Sequence, residues 1–240
     1  MSHAPAVELA PGVFRIAVAP RDSVNAFALV EDTGEVTLVD CGMRRSPRRL
    51  LAALQWIGAR PQDVTRIILT HAHPDHAGGL SAMRGRTGAP VAVHEREAAY
   101  IRTGQVPVRD RSSRQGRILN RLPGGGFSPV EVSEELVDGQ TVPVVGGLEV
   151  THTPGHTPGH VSLLARDRGV LLTGDALFHW RRRITWSPAA LCTDHQLSKL
   201  SASRLAELDY EVVAFSHGPE IRRHARDAVR AFLRRAGATV

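Results

Sequence analysis

Lysine is nearly absent from this chain of 240 residues: Lys199 is the only one, although lysine and arginine together number 30. The net charge of +6 is therefore an arginine surplus. With abundant alanine and glycine, it reads as the bias of a high-GC genome rather than a nucleic-acid-binding face. Many of these arginines (Arg222, Arg223, Arg226, Arg230, Arg234, Arg235) alternate with apolar residues as on a solvated helix face. No nucleic-acid partner is expected. Cysteine occurs only at Cys41 and Cys192, too few for a disulfide framework. Cys41, just after a strand-like run, reads as a small buried residue. No apolar run is long enough to span a bilayer, and residues 1–11 lack the basic start and apolar core of a signal peptide, so a cytoplasmic location without membrane attachment is expected. Tyrosine occurs only at Tyr100 and Tyr210.

What the chain does have is histidine, twelve in all, placed unevenly. Residues 71–76 read His-Ala-His-Pro-Asp-His, directly after the strand-like run Arg66–Thr70. Imidazole and carboxylate are the donors that zinc and similar divalent ions take. Packing so many ionisable groups together is costly without a cation to compensate them. Three later segments have the same form, a short apolar run ending at Gly, Pro, His or Asp: Thr153-Pro154-Gly155-His156-Thr157-Pro158-Gly159-His160, Leu171-Leu172-Thr173-Gly174-Asp175 and Phe215-Ser216-His217-Gly218-Pro219.

These four motifs, in this order across residues 71–217, resemble the metallo-β-lactamase superfamily, nearest in style to its glyoxalase II-like hydrolases. The resemblance implies an α/β protein built as a four-layer αβ/βα sandwich, with residues 1–240 as a single domain. It implies a metal site in which His71, His73 and His156 bind a first ion, Asp75, His76 and His217 a second, and Asp175 bridges both. Two divalent ions follow, with zinc the first expectation and iron or manganese also compatible. Two metals can lower the pKa of a shared water to about 7 and polarise a carbonyl oxygen. The implied reaction is hydrolysis of a carbonyl ester, thioester or lactone of a small substrate by a metal-bound hydroxide, positioned by Asp75 and Asp175.

Around these seven, His160 reads as a supporting residue, Asp40 as a group that orients a ligand histidine from behind, Gly155 and Gly159 as the glycines of the His156 turn, and Pro74 as a stiffener of the ligand loop. His3 and His224 read as inert, and His94 is ambiguous. His179 and Arg181-Arg182-Arg183 follow Asp175 closely, so an anionic group of the substrate is expected to meet one of these arginines.

The coarse element pattern is β runs, βα units, β runs, βα units. Strands are expected at 12–18, 25–31, 35–40, 66–70, 90–94, 148–152, 161–165, 170–173 and 211–215. Helices are expected after the cap-like Ser46-Pro47, over Ala77–Arg84, Glu95–Ile101, from a Thr193 or Asp194 cap to about Leu208, and over Pro219–Arg235. Residues 103–129, with five arginines from Arg109 to Arg121 and the run Pro123-Gly124-Gly125-Gly126, read as a loop or lid over the cleft.

Two other chemistries share such a site. Relatives with one iron, here on His71, His156 and Asp175, oxidise persulfides, but they carry a Gly-Arg-Thr-Asp-type segment where this chain has Ala176-Leu177-Phe178-His179-Trp180. Phosphodiesterases of this type carry extra arms or domains, which are not visible here. Within the hydrolases, only one helix is expected after His217, which counts against a glutathione thioester. Neither tyrosine lies where acyl-homoserine lactonases place theirs. The expected protein is a small-molecule hydrolase with its substrate and oligomeric state open.

Overall fold

In the computed structural model, which describes residues 4–121 and 125–237, two sheets face each other with helices outside both. The first sheet has seven strands in chain order: β1 (Val7–Ala10), β2 (Val13–Ala17), β3 (Asn25–Val30), β4 (Val36–Val39), β5 (Val64–Leu69), β6 (Val91–His94) and β7 (Glu134–Leu136). It is antiparallel up to β4 and parallel from β4 to β7. Helix α1 (Pro47–Trp56) crosses from β4 to β5; α2 (Pro74–Ala77) and α3 (Leu80–Thr87) lead to β6, and α4 (Glu95–Thr103) follows it.

The second sheet is built from β8 (Thr141–Val142), β9 (Leu148–His152), β10 (Val161–Ala165), β11 (Val170–Leu172) and β14 (Val212–Ala214), in the order β14-β11-β10-β9-β8. A separate hairpin, β12 (Leu177–Trp180) and β13 (Arg183–Trp186), precedes α6 (His195–Ala202); α7 (Ala225–Arg235) ends the fold.

Period-two alternation sorts the side chains. Ala26, Ala28, Leu38, Ile67, Leu69, Val91 and Val93 point outward onto Leu50 and Leu54 of α1, Leu80 and Met83 of α3 and Ile101 of α4. Their neighbours Phe27, Leu29, Val39, Ile68 and Ala92 point inward, against Val161, Leu163, Leu172 and Ala214 of the second sheet. Leu164, Leu171, Val213 and Phe215 point to the far side, onto Ala202, Ala225, Val229 and Leu233. Three apolar layers between four structural layers make the αβ/βα sandwich. At one edge the sheets are stitched together: Val161 N–H donates to Thr70 C=O (3.1 Å) and Asn25 N–H to Ser216 C=O (2.8 Å).

Several elements depart from the sequence reading. The helix expected over Ala77–Arg84 is two helices, broken at Gly78-Gly79. There a side chain would strike Pro74 O at 2.2 Å or Cys41 O at 2.3 Å, so the glycine pair lets the chain pass the loop after β4. Ser46 occupies the N-cap position of α1 but makes no side-chain capping bond; its hydroxyl accepts from Met43 N–H and donates to Val18 C=O. The last helix starts at Ala225 rather than Pro219, because Ile221 forms a β-bridge with Val213. Within the 103–129 segment, α5 (Arg114–Leu119) is capped by Ser113, and Phe127 N–H donates to Gly104 C=O (3.1 Å). Pro123 and Gly124, like His3, lie outside the described residues. Among the described residues, no helix is long and apolar enough to cross a membrane.

Candidate metal centre

All seven side chains expected as ligands meet at the stitched edge. His71 and His73 leave the C-terminal end of β5, and His73 is the N-cap of α2, whose first turn carries Asp75 and His76, with Pro74 at its start. His156 lies in the β9–β10 turn, Asp175 follows β11, and His217 follows β14. Three ring nitrogens form one group: His71 Nε2 to His73 Nδ1 is 3.1 Å, and His73 Nδ1 to His156 Nε2 is 2.9 Å. Nitrogens around a tetrahedral zinc at 2.0–2.1 Å stand about 3.3 Å apart. A second group holds Asp75, His76 and His217, with His217 Nε2 3.5 Å and His76 Nε2 3.8 Å from Asp75 Oδ2.

Asp175 joins the two groups with different oxygens. Oδ2 lies 3.2 Å from His156 Nε2 and 4.0 Å from His71 Nε2, while Oδ1 lies 3.2 Å from His217 Nε2 and 3.3 Å from His76 Nε2. Burial orphans two of these atoms: His76 Nε2 and Asp175 Oδ1 have no hydrogen-bond partner among the described residues. Such atoms converging on one space are what a cation satisfies. The donor set fits two divalent ions, one on three imidazoles and one on two imidazoles and a carboxylate, with Asp175 between them.

In four of the five candidate ligand histidines the other ring nitrogen is also held, which fixes ring orientation and tautomer. Asp40 has a left-handed backbone (φ 63°) and is fully buried. Its Oδ1 accepts from Thr70 N–H and its Oδ2 from Thr70 Oγ1–H, and Oδ2 also accepts a hydrogen bond from His76 Nδ1–H (2.8 Å). His217 Nδ1–H donates to Ser23 C=O (2.6 Å), and the Asn25 amide donates to the Phe215 and Gly218 carbonyls on either side of that ligand. His156 Nδ1 lies 2.8 Å from Ser187 Oγ, and His71 Nδ1 lies 3.0 Å from Thr70 Oγ1. His160 takes a supporting place: its Nε2 accepts from Asp175 N–H (2.7 Å) and its Nδ1 faces Thr153.

In the metal-free protein the two halves differ electrostatically. Burial drives the pKa of His71 and His156 well below the ordinary histidine value, that of His73 down to about 4, and that of His160 down to about 3. Burial acts in the same sense on His76, but Asp175, Asp40 and Asp75 outweigh it and raise its pKa well above the ordinary value. His217 is raised in the same way by Asp175. Burial opposes ionisation of Asp175, yet His217, His76 and His156 hold its pKa well below the usual range.

Sequence reasoning missed Glu97, on the buried side of α4. One carboxyl oxygen accepts from Ala72 N–H, between His71 and His73, and the other from Gly159 N–H in the His156 loop, both at 2.7 Å. Burial pushes its pKa up to about 7 against the pull of these donors. A side chain at Gly159 would meet Glu97 N at 2.9 Å, and Gly155 turns at φ 120° with Ser198 N 2.1 Å from where a Cβ would stand, so both expected glycines are required. Glu97→Ala leaves two buried N–H groups unpaired, at about 1–3 kcal/mol each. The expected result is a lower midpoint in thermal unfolding and weaker metal retention on dialysis.

Other expected residues lie elsewhere. Phe178 is the hairpin residue that meets the cluster, stacked on His217 with centroids 4.2 Å apart. Alternation then turns His179 the other way, where its ring Nδ1–H donates to Pro219 C=O (2.7 Å). His179, Arg182 and Arg183 line a groove of about 690 Å³ with Ile184, Ile221 and Phe232, beside α7, and none of the seven cluster residues lines it. Arg181 and Arg182 form the hairpin tip at positive φ. His94 stacks on His152 (centroids 4.1 Å) and caps α4 through Nδ1. His224 is exposed. Cys41 is buried, with its thiol pKa pushed up by burial, and its N–H donates to His76 C=O.

Residues 19–217 match the family model of the metallo-beta-lactamase superfamily, and the chain belongs to that superfamily. Among curated relatives, the probable metallo-hydrolase YflN of Bacillus subtilis (strain 168) is 28% identical over 227 residues, covering 88% of this chain and 85% of its own. An N-acyl homoserine lactonase of a Bacillus species is 31% identical over 178 residues, 72% of this chain and 63% of that protein. The crystal structure of a metallo-beta-lactamase family protein from Thermus thermophilus superposes with a TM-score of 0.72 at 28% identity, covering 96% of this chain and 81% of that one.

Proposed function

We propose that this protein is a dinuclear metal-dependent hydrolase of a small carbonyl ester, thioester or lactone. The observation that carries this reading is the divided Asp175 carboxylate, one oxygen toward His71 and His156 and the other toward His76 and His217. A mononuclear site has no use for the second half. Two divalent ions, zinc first among them, would supply a water-derived nucleophile at neutral pH and a Lewis acid for the carbonyl oxygen.

The chain's own groups do the rest. His71, His73 and His156 are held neutral by burial and need lose no proton to serve as ligands. With the ions bound, Asp75 and Asp175 would be placed to accept hydrogen bonds from the nucleophilic water and orient it. Asp75, about one-third exposed and beside the partly exposed His217 while the other four imidazoles are buried, marks the open side where substrate enters. Two hydroxyl or thiol groups beside His156 are not poised as nucleophiles: burial pushes the Cys192 thiol up to about 11, and the Ser187 hydroxyl is engaged with His156. The names of relatives, a metallo-hydrolase and a lactonase, support the reaction class.

The test is metal content of protein purified without added metal, followed by a panel of lactones, esters and thioesters. Two divalent ions per chain and turnover that is lost on chelation and restored by zinc or manganese are expected. One iron per chain with oxygen uptake on a persulfide would replace this reading with the iron oxidation chemistry.

A further inference from the structure

The β12–β13 hairpin has two faces, and only one of them serves the metal cluster. Cross-strand pairing sets Phe178 against Thr185 and His179 against Ile184, so these two pairs turn to opposite sides. Phe178 stacks on His217, on the metal side. His179 and Ile184 instead wall the groove beside α7, whose volume of about 690 Å³ is in the range of small-molecule sites. None of the seven cluster residues lines this groove, so a molecule held in it is not the one being hydrolysed.

The groove is apolar below and basic at its rim. Ile184, Ile221 and Phe232 are half-buried there, and Ala228 and Ala231, on one side of α7, leave room that larger side chains would fill. Arg182, Arg183 and Arg235 line it as well, all exposed, and no acidic residue does. The acids beside it in sequence are engaged elsewhere: Glu220 pairs with Arg15 (2.8 Å) and Arg222 (2.9 Å), and Asp227 lies 3.8 Å from His224. Arg226 of the same helix pairs with Asp209 (2.9 Å), whereas none of the three groove arginines has an ion-pair partner among the described residues. The hairpin turn does not itself call for arginine. Arg181 and Arg182 stand at φ 49° and 62°, where two-residue turns favour Asn and Gly.

We infer that the α7 groove is a binding site for an amphipathic anion, a fatty-acid-like molecule with one carboxylate head and an apolar body. The body lies on Ile184, Ile221 and Phe232, and the head meets the arginine rim, whose planar guanidinium forks match a carboxylate. A recess of this size takes one small molecule, where a bilayer surface would need a protruding apolar face. The site is separate from the metal centre, and the inference stands whether or not the metal-hydrolase reading does.

Decanoate, below its micellar concentration, is titrated by calorimetry into the zinc-loaded wild type, beside acetate (the head alone) and decyltrimethylammonium (a like tail with the opposite charge). One decanoate per chain is expected, with acetate and the cation at least about tenfold weaker. Two variants are compared: Arg182→Ala/Arg183→Ala/Arg235→Ala, changed only at exposed positions, and Ala228→Glu, which sets a carboxylate in the groove. Each is expected to weaken decanoate at least about tenfold with zinc content unchanged. If Ala228→Glu does not fold, by far-UV circular dichroism, the arginine variant decides alone. Decanoate binding that the arginine variant leaves unchanged puts the anion at the metals or elsewhere and overturns the inference, as does equal binding of acetate or of the cation. Absence of decanoate binding overturns it as well. Binding to phosphatidylglycerol vesicles in its place makes the face a membrane contact, and a dimer in sedimentation that the arginine variant breaks makes it a contact between copies. None of these outcomes touches the metal centre, which metal content tests.

Discussion

Asp175→Asn is expected to fold, to lose at least one metal ion, and to lose hydrolytic turnover by a factor of about 10² or more. Asparagine has nearly the same shape, so the packing around β11 survives and the change is one of charge and donor chemistry. Asp175 is buried and faces four imidazoles, with three contacts at 3.2–3.3 Å and one at 4.0 Å. Removing one partner of a buried charged network costs about 3–5 kcal/mol, and each 1.36 kcal/mol is about a factor of ten in an affinity or a rate. The amide offers one oxygen where the carboxylate offers two, so it cannot face both groups at once. Elemental analysis after dialysis, together with turnover on the best ester or lactone, reads both effects. Two ions retained with undiminished turnover would remove Asp175 from the bridging position. Loss of the far-UV circular dichroism spectrum would transfer the effect to folding, and Asp175→Glu, which keeps the charge, then serves as the second variant.

The residues that this prediction concerns are legible in the sequence for a physical reason. Candidate metal donors are particular residue types, and here most of them closely follow a strand while Asp75 and His76 open the short helix after one, so the cluster stands out in the sequence. The groups that hold those donors from behind are less legible. Asp40 could be placed because it ends a strand beside the ligand strand. Glu97 could not, since it lies on a helix among other charged residues and its partners are backbone N–H groups of two distant loops. Ser23 and Asn25, which hold His217 and its flanking carbonyls, are silent for the same reason. Buried strands such as β3 and β10 were readable from their apolar residues. The β12–β13 hairpin was not, because its tip is Arg181-Arg182 at positive φ rather than the glycine or asparagine that marks such turns. Likewise β7, with the sequence Glu134-Glu135-Leu136, shows almost no apolar pattern; it owes its place to pairing with β6.

Acidification is expected to empty the two metal positions in sequence, the Asp75–His76–His217 position first. Coordination takes the neutral imidazole, so a histidine protonated in the metal-free protein must release its proton when an ion binds. His71, His73 and His156 are already neutral at pH 7, because burial holds their pKa values down, that of His73 to about 4. Affinity at that position should therefore be nearly flat from pH 8 down to about pH 5. His76 and His217 are raised by the carboxylates around them, so both are biased toward the charged form in the empty site. Each proton displaced weakens binding about tenfold per pH unit below the pKa of the group that holds it. Two units of acid then cost this position about 10²-fold for one proton and up to about 10⁴-fold for two. Equilibrium dialysis against buffered zinc between pH 8 and 5 reads the ratio directly: about two ions per chain at the alkaline end and about one at the acid end are expected. His76→Gln should abolish the steep step by removing the main titrating ligand, leaving one ion per chain throughout. Simultaneous loss of both ions along one curve would mean that the two halves titrate as a unit, and that the carboxylates around His76 do not set the order.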